Sequence, residues 1–240
     1  MQGNIARGAG YLTRGAKLLN HPSLRAFVIV PLIINILIFG TLIALGFSYI
    51  SDLMDSMLAS IPGWMSFITW ILWPLIIVTV SLIAGYFFTS VALIIASPFN
   101  ALLAEKAEEL VTGQPVNSLE GFGAALASIP KSVVRELLKL LYYIPMALLA
   151  LVLSFIPGVG AAAWLLLGAW MMSIQFVDYP MDNHQLSFAE VKRAVRSKRL
   201  SSLGFGGLVA VCTSIPLVNF FVVPAAVVGA TLLWCEELNQ

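Results

Sequence analysis

Ser154-Phe155-Ile156-Pro157-Gly158-Val159-Gly160 lies near the middle of Leu140–Val177, a 38-residue run without a charged side chain. Proline inside a helix removes a backbone hydrogen bond and clashes with the preceding turn. Glycines on both sides of Val159 loosen the backbone further, so the expectation here is a full break. Each half is then expected to span about 12–18 residues, or roughly 18–27 Å, short of a bilayer core of about 30 Å. Two short apolar helices joined at such a break suit a re-entrant hairpin, which enters and leaves the membrane on one side. The whole architecture turns on this reading.

Working outward, a second run repeats the pattern. Leu200–Cys235 is also free of charge and contains Thr213-Ser214-Ile215-Pro216-Leu217-Val218-Asn219, with Pro224 beyond it. Both runs share an Ile-Pro-x-Val core, Ile156–Val159 and Ile215–Val218. Broken helices at corresponding positions point to a transport site, since irregular backbone survives in a membrane only inside protein or beside water. The two earlier charge-free runs differ. Ala26–Ile50 has the length of one span, and Ile61–Ala104 has no polar turn to divide it. The latter reads as one long helix, kinked at Pro74, whose apolar part ends at Ser97-Pro98.

Charge placement favours the same topology. All 13 Lys and Arg fall in the segments 1–25, 105–139 and 178–199, while the connector between the first two runs holds only Asp52 and Asp55. Cytoplasmic loops are enriched in Lys and Arg. Keeping all three basic segments inside requires the first two runs to cross and the third to return to its own side. The expected fold is an all-α integral membrane protein forming a single domain over 1–240. It comprises an N-terminal amphipathic interfacial helix over 1–22, with Ile5, Leu12 and Leu19 at intervals of seven. Transmembrane helices follow over 24–50 and 63–110, the second extending into the cytoplasm, and re-entrant hairpins over 140–177 and 200–236.

Composition supports this and narrows function. Apolar residues make up 60% of the 240 and charged ones only 10%, against about 25% charged in soluble domains. Most of the surface therefore faces lipid. No basic patch is interleaved with aromatics, so a nucleic-acid partner is not expected. Cys212 and Cys235 lie far apart in apolar segments and read as free buried thiols, without metal-site spacing. His21 and His184 sit in loops with no placed nucleophile, and neither a P-loop nor H-E-x-x-H is present. An enzyme, a cofactor, a metal site and direct ATP coupling are all not expected.

Three places carry candidate chemistry. In Asn20-His21-Pro22-Ser23-Leu24-Arg25, Pro22 ends one helix and Asn20 or Ser23 can cap the next. A helix starting there aims free N–H groups and its positive dipole end toward Arg25. That makes an oxyanion site, since Arg pairs two oxygens at once; the alternative is an arginine that anchors the span at the headgroups. In Ser97–Glu109, Asn100, Glu105 and Lys106 stand where the apolar run ends, with Glu105 and Glu109 one turn apart. They form either a charged mouth or a solvated helix leaving the membrane. Asn35 and Asn219 are amides in apolar runs, suited to a cavity or to helix–helix hydrogen bonds.

The order of these features resembles the CysZ-type sulfate permeases of bacterial inner membranes, over nearly the whole chain. The resemblance rests on Pro22-Ser23-Leu24-Arg25 leading into Val30-Pro31-Leu32-Ile33-Ile34-Asn35, on Ser97-Pro98-Phe99-Asn100-Ala101-Leu102-Leu103-Ala104-Glu105-Lys106, and on Ile215-Pro216-Leu217-Val218-Asn219. It implies sulfate uptake for cysteine biosynthesis, two long membrane helices, two hemi-penetrating helical pairs and homo-oligomers. The family's Gly-Leu-Arg sulfate motif falls on Ser23, Leu24 and Arg25, with Ser23 in place of the glycine. Ala26 stands where a second basic residue often follows. The expected route for sulfate, or for sulfite and related oxyanions, passes Asn35, Asn100, Glu105, Lys106 and Asn219. The alternative is a membrane scaffold or regulatory subunit that binds an oxyanion without conducting it.

Overall fold

A computed structural model describes residues 3–58, 67–116 and 129–239. They form α1 (Ile5–Leu18), α2 (Pro22–Leu58), α3 (Phe67–Thr112), α4 (Ile129–Leu153), α5 (Val159–Asn183), α6 (Phe188–Ser197), α7 (Arg199–Thr213) and α8 (Pro216–Leu233). A single π-helical turn, Trp234–Leu238, follows α8. Among the described residues there is no strand. Two compact units divide the chain: residues 1–28 with 97–240, and residues 29–96.

Local sequence explains where these helices begin and end. The Asn4 side chain accepts the Ala6 and Arg7 N–H groups at 2.8 and 3.1 Å, capping α1. Pro22 and Pro216 stand at the starts of α2 and α8, where a missing N–H costs nothing. Ser187 and Glu190 form a capping box on α6. Gly158 takes φ +80° at the α4–α5 turn, a backbone state that a side chain disfavours. The tip is tied by Trp164, whose Nε1 donates to Ser154 Oγ at 2.9 Å. The connection between α7 and α8 is shorter, only Ser214 and Ile215. By contrast α3 runs unbroken through both Pro74 and Pro98.

The arms of the first hairpin correct one expectation. Both α4 and α5 have 25 residues, not 12–18, which at 1.5 Å per residue is about 38 Å each. The helices do not stop where the charges start, because those charges meet across the hairpin. Apolar length alone therefore does not exclude a crossing. Four helices among the described residues are long and apolar enough to span: Pro22–Gly46, Pro130–Leu153, Val159–Asn183 and Val218–Leu238.

In the first unit, α1 packs on α7 and α8, α5 packs on α4, α7 and α8, and α6 rests on α5. Tyr11, Leu24, Leu103, Ile174, Phe205 and Leu233 are fully buried in its core. The buried face of α1 is Gly8, Tyr11, Leu12 and Gly15. Ile5 is 56% exposed, whereas Leu12 is buried and Leu19 packs against the core, so the interval of seven meets the packing face from Leu12 onward. Glycine brings that face close to its neighbours. A Cβ on Gly15 would lie 2.6 Å from the Gly229 nitrogen, and one on Gly8 would strike the Ser201 carbonyl. Small residues let backbones approach closely, a device suited to helices without a strong hydrophobic drive. Outward, α4 exposes Val134, Leu137, Leu141 and Leu148. In the second unit, α2 exposes Ile36, Leu37, Ile43 and Leu45. Apolar surface of this extent needs lipid or a partner.

Candidate functional site

The corner between α1 and α2 holds the expected anion site. α1 closes with the Leu19 N–H on the Gly15 carbonyl (3.1 Å) and the His21 N–H on the Leu18 carbonyl (2.9 Å). Pro22 then opens α2, and the Leu24 N–H returns to the His21 carbonyl at 3.0 Å. Leu24 is fully buried and fixes the corner in the core, while Ser23 and Arg25 face outward. Among the described residues the Ser23 N–H meets His21 Nδ1 alone, at 3.4 Å, a loose contact that an anion can displace. Arg25 Nε donates to the Asn20 carbonyl at 3.0 Å. Among the described residues no carboxylate lies within ion-pairing range of Arg25. Its terminal nitrogens thus project at a helix start, the position that favours an oxyanion.

Among the described residues no hydrogen bond or ion pair joins Asn100 or Lys106 to this corner. Asn100 Nδ2 donates to the Tyr179 hydroxyl on α5 at 3.4 Å, and Lys106 pairs with Glu109 at 2.6 Å. Glu105 is buried, whereas Asn219 is exposed on the first turn of α8. Asn35 belongs to α2 in the second unit, and its side chain lies outside the described residues. Asn100, Lys106 and Arg25 therefore each have partners other than one another.

Sequence reasoning missed three charged clusters. The first joins α4 to α5. Arg135 Nε donates to Asp178 Oδ1 at 2.8 Å, and its Nη1 reaches Asp182 Oδ1 at 2.7 Å and the Leu186 carbonyl at 2.8 Å. Lys139 Nζ lies 2.7 Å from both Asp178 Oδ2 and Glu136 Oε1. Arg135, Lys139 and Asp178 are all buried, and buried charges persist only when paired and hydrogen-bonded. A signal was available: Arg135 and Lys139 share one helical face, as do Asp178 and Asp182. Arg135 stands 22 residues before Pro157 and Asp178 stands 21 after it. Folding at the proline sets the pairs side by side.

The second cluster clasps the two ends of the chain. Arg7 Nε lies 3.0 Å from Glu237, Arg14 forks onto Glu236, and the Tyr11 hydroxyl donates to Glu236 and Glu237 at 3.2 and 3.1 Å. Burial first, then the charges of Glu237 and Glu236, push the Tyr11 phenol up to about 12. The Tyr11 oxygen, then Glu237, holds the Arg7 guanidinium above its ordinary range, and the Glu236 hydrogen bond does the same for Arg14. The third is His184 Nε2 against Glu108 Oε1 at 2.7 Å, beside Trp234; Glu108 Oε2 and the Trp234 indole N–H are buried without a hydrogen-bond partner among the described residues. Among the described residues no group of three or more His, Cys, Asp or Glu side chains is placed to hold a metal ion.

Known proteins resemble this chain along most of its length. The family model described as sulfate transporter CysZ/etoposide-induced protein 2.4 matches residues 11–224. A curated relative from Pseudomonas aeruginosa strain LESB58, named sulfate transporter CysZ, is 45% identical over 236 residues, covering 97% of this chain and 96% of that protein. One of the same name from Pseudomonas fluorescens strain Pf0-1 is 45% identical over 240 residues, covering 99% and 96%. From the packed corner at Tyr11 and Leu24 to the second hairpin, the match spans every element that builds the site, and the chain belongs to the sulfate transporter CysZ/etoposide-induced protein 2.4 family.

Proposed function

We propose that this chain is a sulfate permease of the bacterial inner membrane, channel-like in action, whose uptake feeds cysteine biosynthesis. One observation carries the reading: Arg25 projects from the start of α2 without a carboxylate partner among the described residues, in a family named for sulfate transport. Sulfate is a tetrahedral dianion, and a guanidinium fork with adjacent N–H groups fits two of its oxygens. Leu24 holds the corner in the core, and the loosely held Ser23 N–H is released to the anion.

In this proposal α2 and α3 cross the membrane, while α4–α5 and α7–α8 are re-entrant pairs and α1 lies at the interface. Two observations support it. The three basic segments share a side only if the first hairpin returns. The charges on the arms also cluster at one end of the first hairpin, at Lys131, Arg135, Lys139, Asp178 and Asp182, opposite a tip where Phe155 is 84% exposed. Asn35, Asn100, Glu105, Lys106 and Asn219 line the proposed route, and homo-oligomers supply the walls that two crossing helices cannot.

Uptake of radiolabelled sulfate into liposomes containing the full chain tests this directly. Uptake above empty liposomes that falls at least tenfold with Arg25→Ala supports both permease and site, at the roughly 1.5–3 kcal/mol of a charge-assisted hydrogen bond. No uptake by folded, inserted protein removes the permease and leaves a scaffold that binds the anion. Uptake untouched by Arg25→Ala keeps the function and discards the site.

A further inference from the structure

Lys192, Arg193, Arg196, Lys198 and Arg199 place five cations within eight residues. Among the described residues none of the five lies within ion-pairing range of a carboxylate, whereas Arg7, Arg14, Lys106, Lys131, Arg135 and Lys139 all do. The imbalance is local and has a shape. α6 buries Val191 and Val195 completely and turns Arg193 and Arg196 outward. Arg199 continues the exposed row beyond the non-helical joint at Lys198, which has φ −123° and ψ 53°.

Like charges one turn apart repel, and here they are set at exactly such spacings: Lys192 with Arg196, and Arg193 with Arg196. The one carboxylate of α6, Glu190, is committed to the Ser187 hydroxyl and N–H at 2.7 Å each. Glu190 offsets Arg193 in part, so on α6 and its joint one carboxylate stands against five cations. Its neighbours are aromatic. Lys192 Nζ stands 4.9 Å from the Tyr142 ring centre and 4.8 Å from that of Phe188, and Arg196 Nη2 reaches the Tyr142 hydroxyl at 3.5 Å. Trp170 Nε1 donates to the same hydroxyl at 3.2 Å. Beside Tyr142 on α4, Leu138 and Leu141 are exposed.

An apolar face, then a Tyr and Trp pair, then a row of free cations is the sequence of chemistries met on passing from acyl chains through the interface to headgroups. We propose that the ridge Lys192–Arg199 is a docking surface for the headgroups of anionic phospholipids. The adjoining apolar face selects this occupant over a soluble polyanion, which has no use for it. The inference rests on the chain being a membrane protein and not on its carrying sulfate.

The full chain in detergent micelles is titrated with phosphatidylglycerol or with phosphatidylcholine of identical acyl chains, and retained lipids are counted by native mass spectrometry. The native protein is expected to retain phosphatidylglycerol about tenfold better, a modest return for several cations near an anionic surface. R193Q/R196Q/K198Q/R199Q is expected to bring the two lipids within about twofold. Equal retention by the native chain overturns the proposal, as does full preference in a folded fourfold variant. Displacement of the bound lipid by inorganic phosphate also overturns it, because the site then takes a free oxyanion. If the fourfold variant fails to fold, R193Q/R196Q alone, both exposed, must lower the preference at least threefold, and an unchanged preference sinks the idea.

Discussion

Arg135 Nη2 stands 2.6 Å from Asp178 Oδ1, joining the two arms of the first hairpin within the protein. Two cations, Arg135 and Lys139, converge on this one buried carboxylate. Removing a cation leaves a second to neutralise Asp178. Removing Asp178 leaves Arg135 with Asp182 and Lys139 with Glu136, both more exposed than Asp178.

The first prediction follows from that asymmetry. Asp178→Ala should destabilise the protein by about 3 kcal/mol, the low end for breaking a buried pair, because Asp182 and Glu136 still offset part of the charge. Lys139→Met should cost clearly less, because Arg135 still pairs with Asp178. Thermal unfolding in detergent, followed by tryptophan fluorescence, compares the two. Equal losses would show that the network is held by something other than Asp178.

Much of the fold was legible because prolines and charges punctuate the chain. Pro157-Gly158 and Pro216 mark both helical turns, and the runs between charges locate the long apolar helices. The lengths of α4 and α5 were not legible from hydropathy. Lys131, Arg135 and Lys139 look like the end of a membrane segment until Asp178 and Asp182 are set opposite them. The close packing of α1 was hidden for another reason. Hydrophobicity counts side chains, and its contacts through Gly8 and Gly15 are made where side chains are missing. At the candidate site, Pro22 and Arg25 announced a helix start, but the hold of the Asn20 carbonyl on Arg25 Nε depends on backbone geometry that no pattern of residue types encodes.

The second prediction uses two glycines of one helix. A Cβ on Gly10 meets open space, whereas one on Gly15 meets the α8 backbone at Ala225 and Gly229. Gly10→Ala should therefore stabilise by about 0.5–1 kcal/mol through helix propensity. Gly15→Ala should instead destabilise by about 1–3 kcal/mol through overpacking. Denaturant melts of the two variants should move in opposite directions. A stabilising Gly15→Ala would mean that α1 does not press against α8.

The third concerns the anion corner. Arg25→Lys keeps the charge but loses the fork, of which Nε is held by Asn20 while the terminal nitrogens stay free. Half-saturation for sulfate uptake should rise about tenfold or more, the loss of one charge-assisted hydrogen bond. Ser23→Gly, which sets the glycine that the resemblance implies for this motif, should leave uptake within about twofold, since glycine replaces serine at helix starts for a few tenths of a kcal/mol. A large loss with Ser23→Gly would assign the serine hydroxyl to the anion.

The last prediction is a pH dependence, and its direction comes from Tyr11. In the fold its phenol is pushed up to about 12, mainly by burial and then by Glu237 and Glu236; in the unfolded chain it titrates near about 10. A group raised on folding contributes stability that is fully present below the unfolded value and lost as pH rises through the folded one. The clasp between α1 and the chain's C-terminal turn should hold up to about pH 10 and weaken between about pH 10 and 12. Tyr11→Phe removes that titration, so its alkaline loss of stability over this window should be shallower than the native protein's. It also removes two hydrogen bonds to carboxylates, so it should start from a lower plateau at neutral pH. Parallel melts from pH 8 to 12 read both effects at once. A lower plateau with an unchanged alkaline slope would show that Tyr11 binds Glu236 and Glu237 but that some other group governs the release of α1.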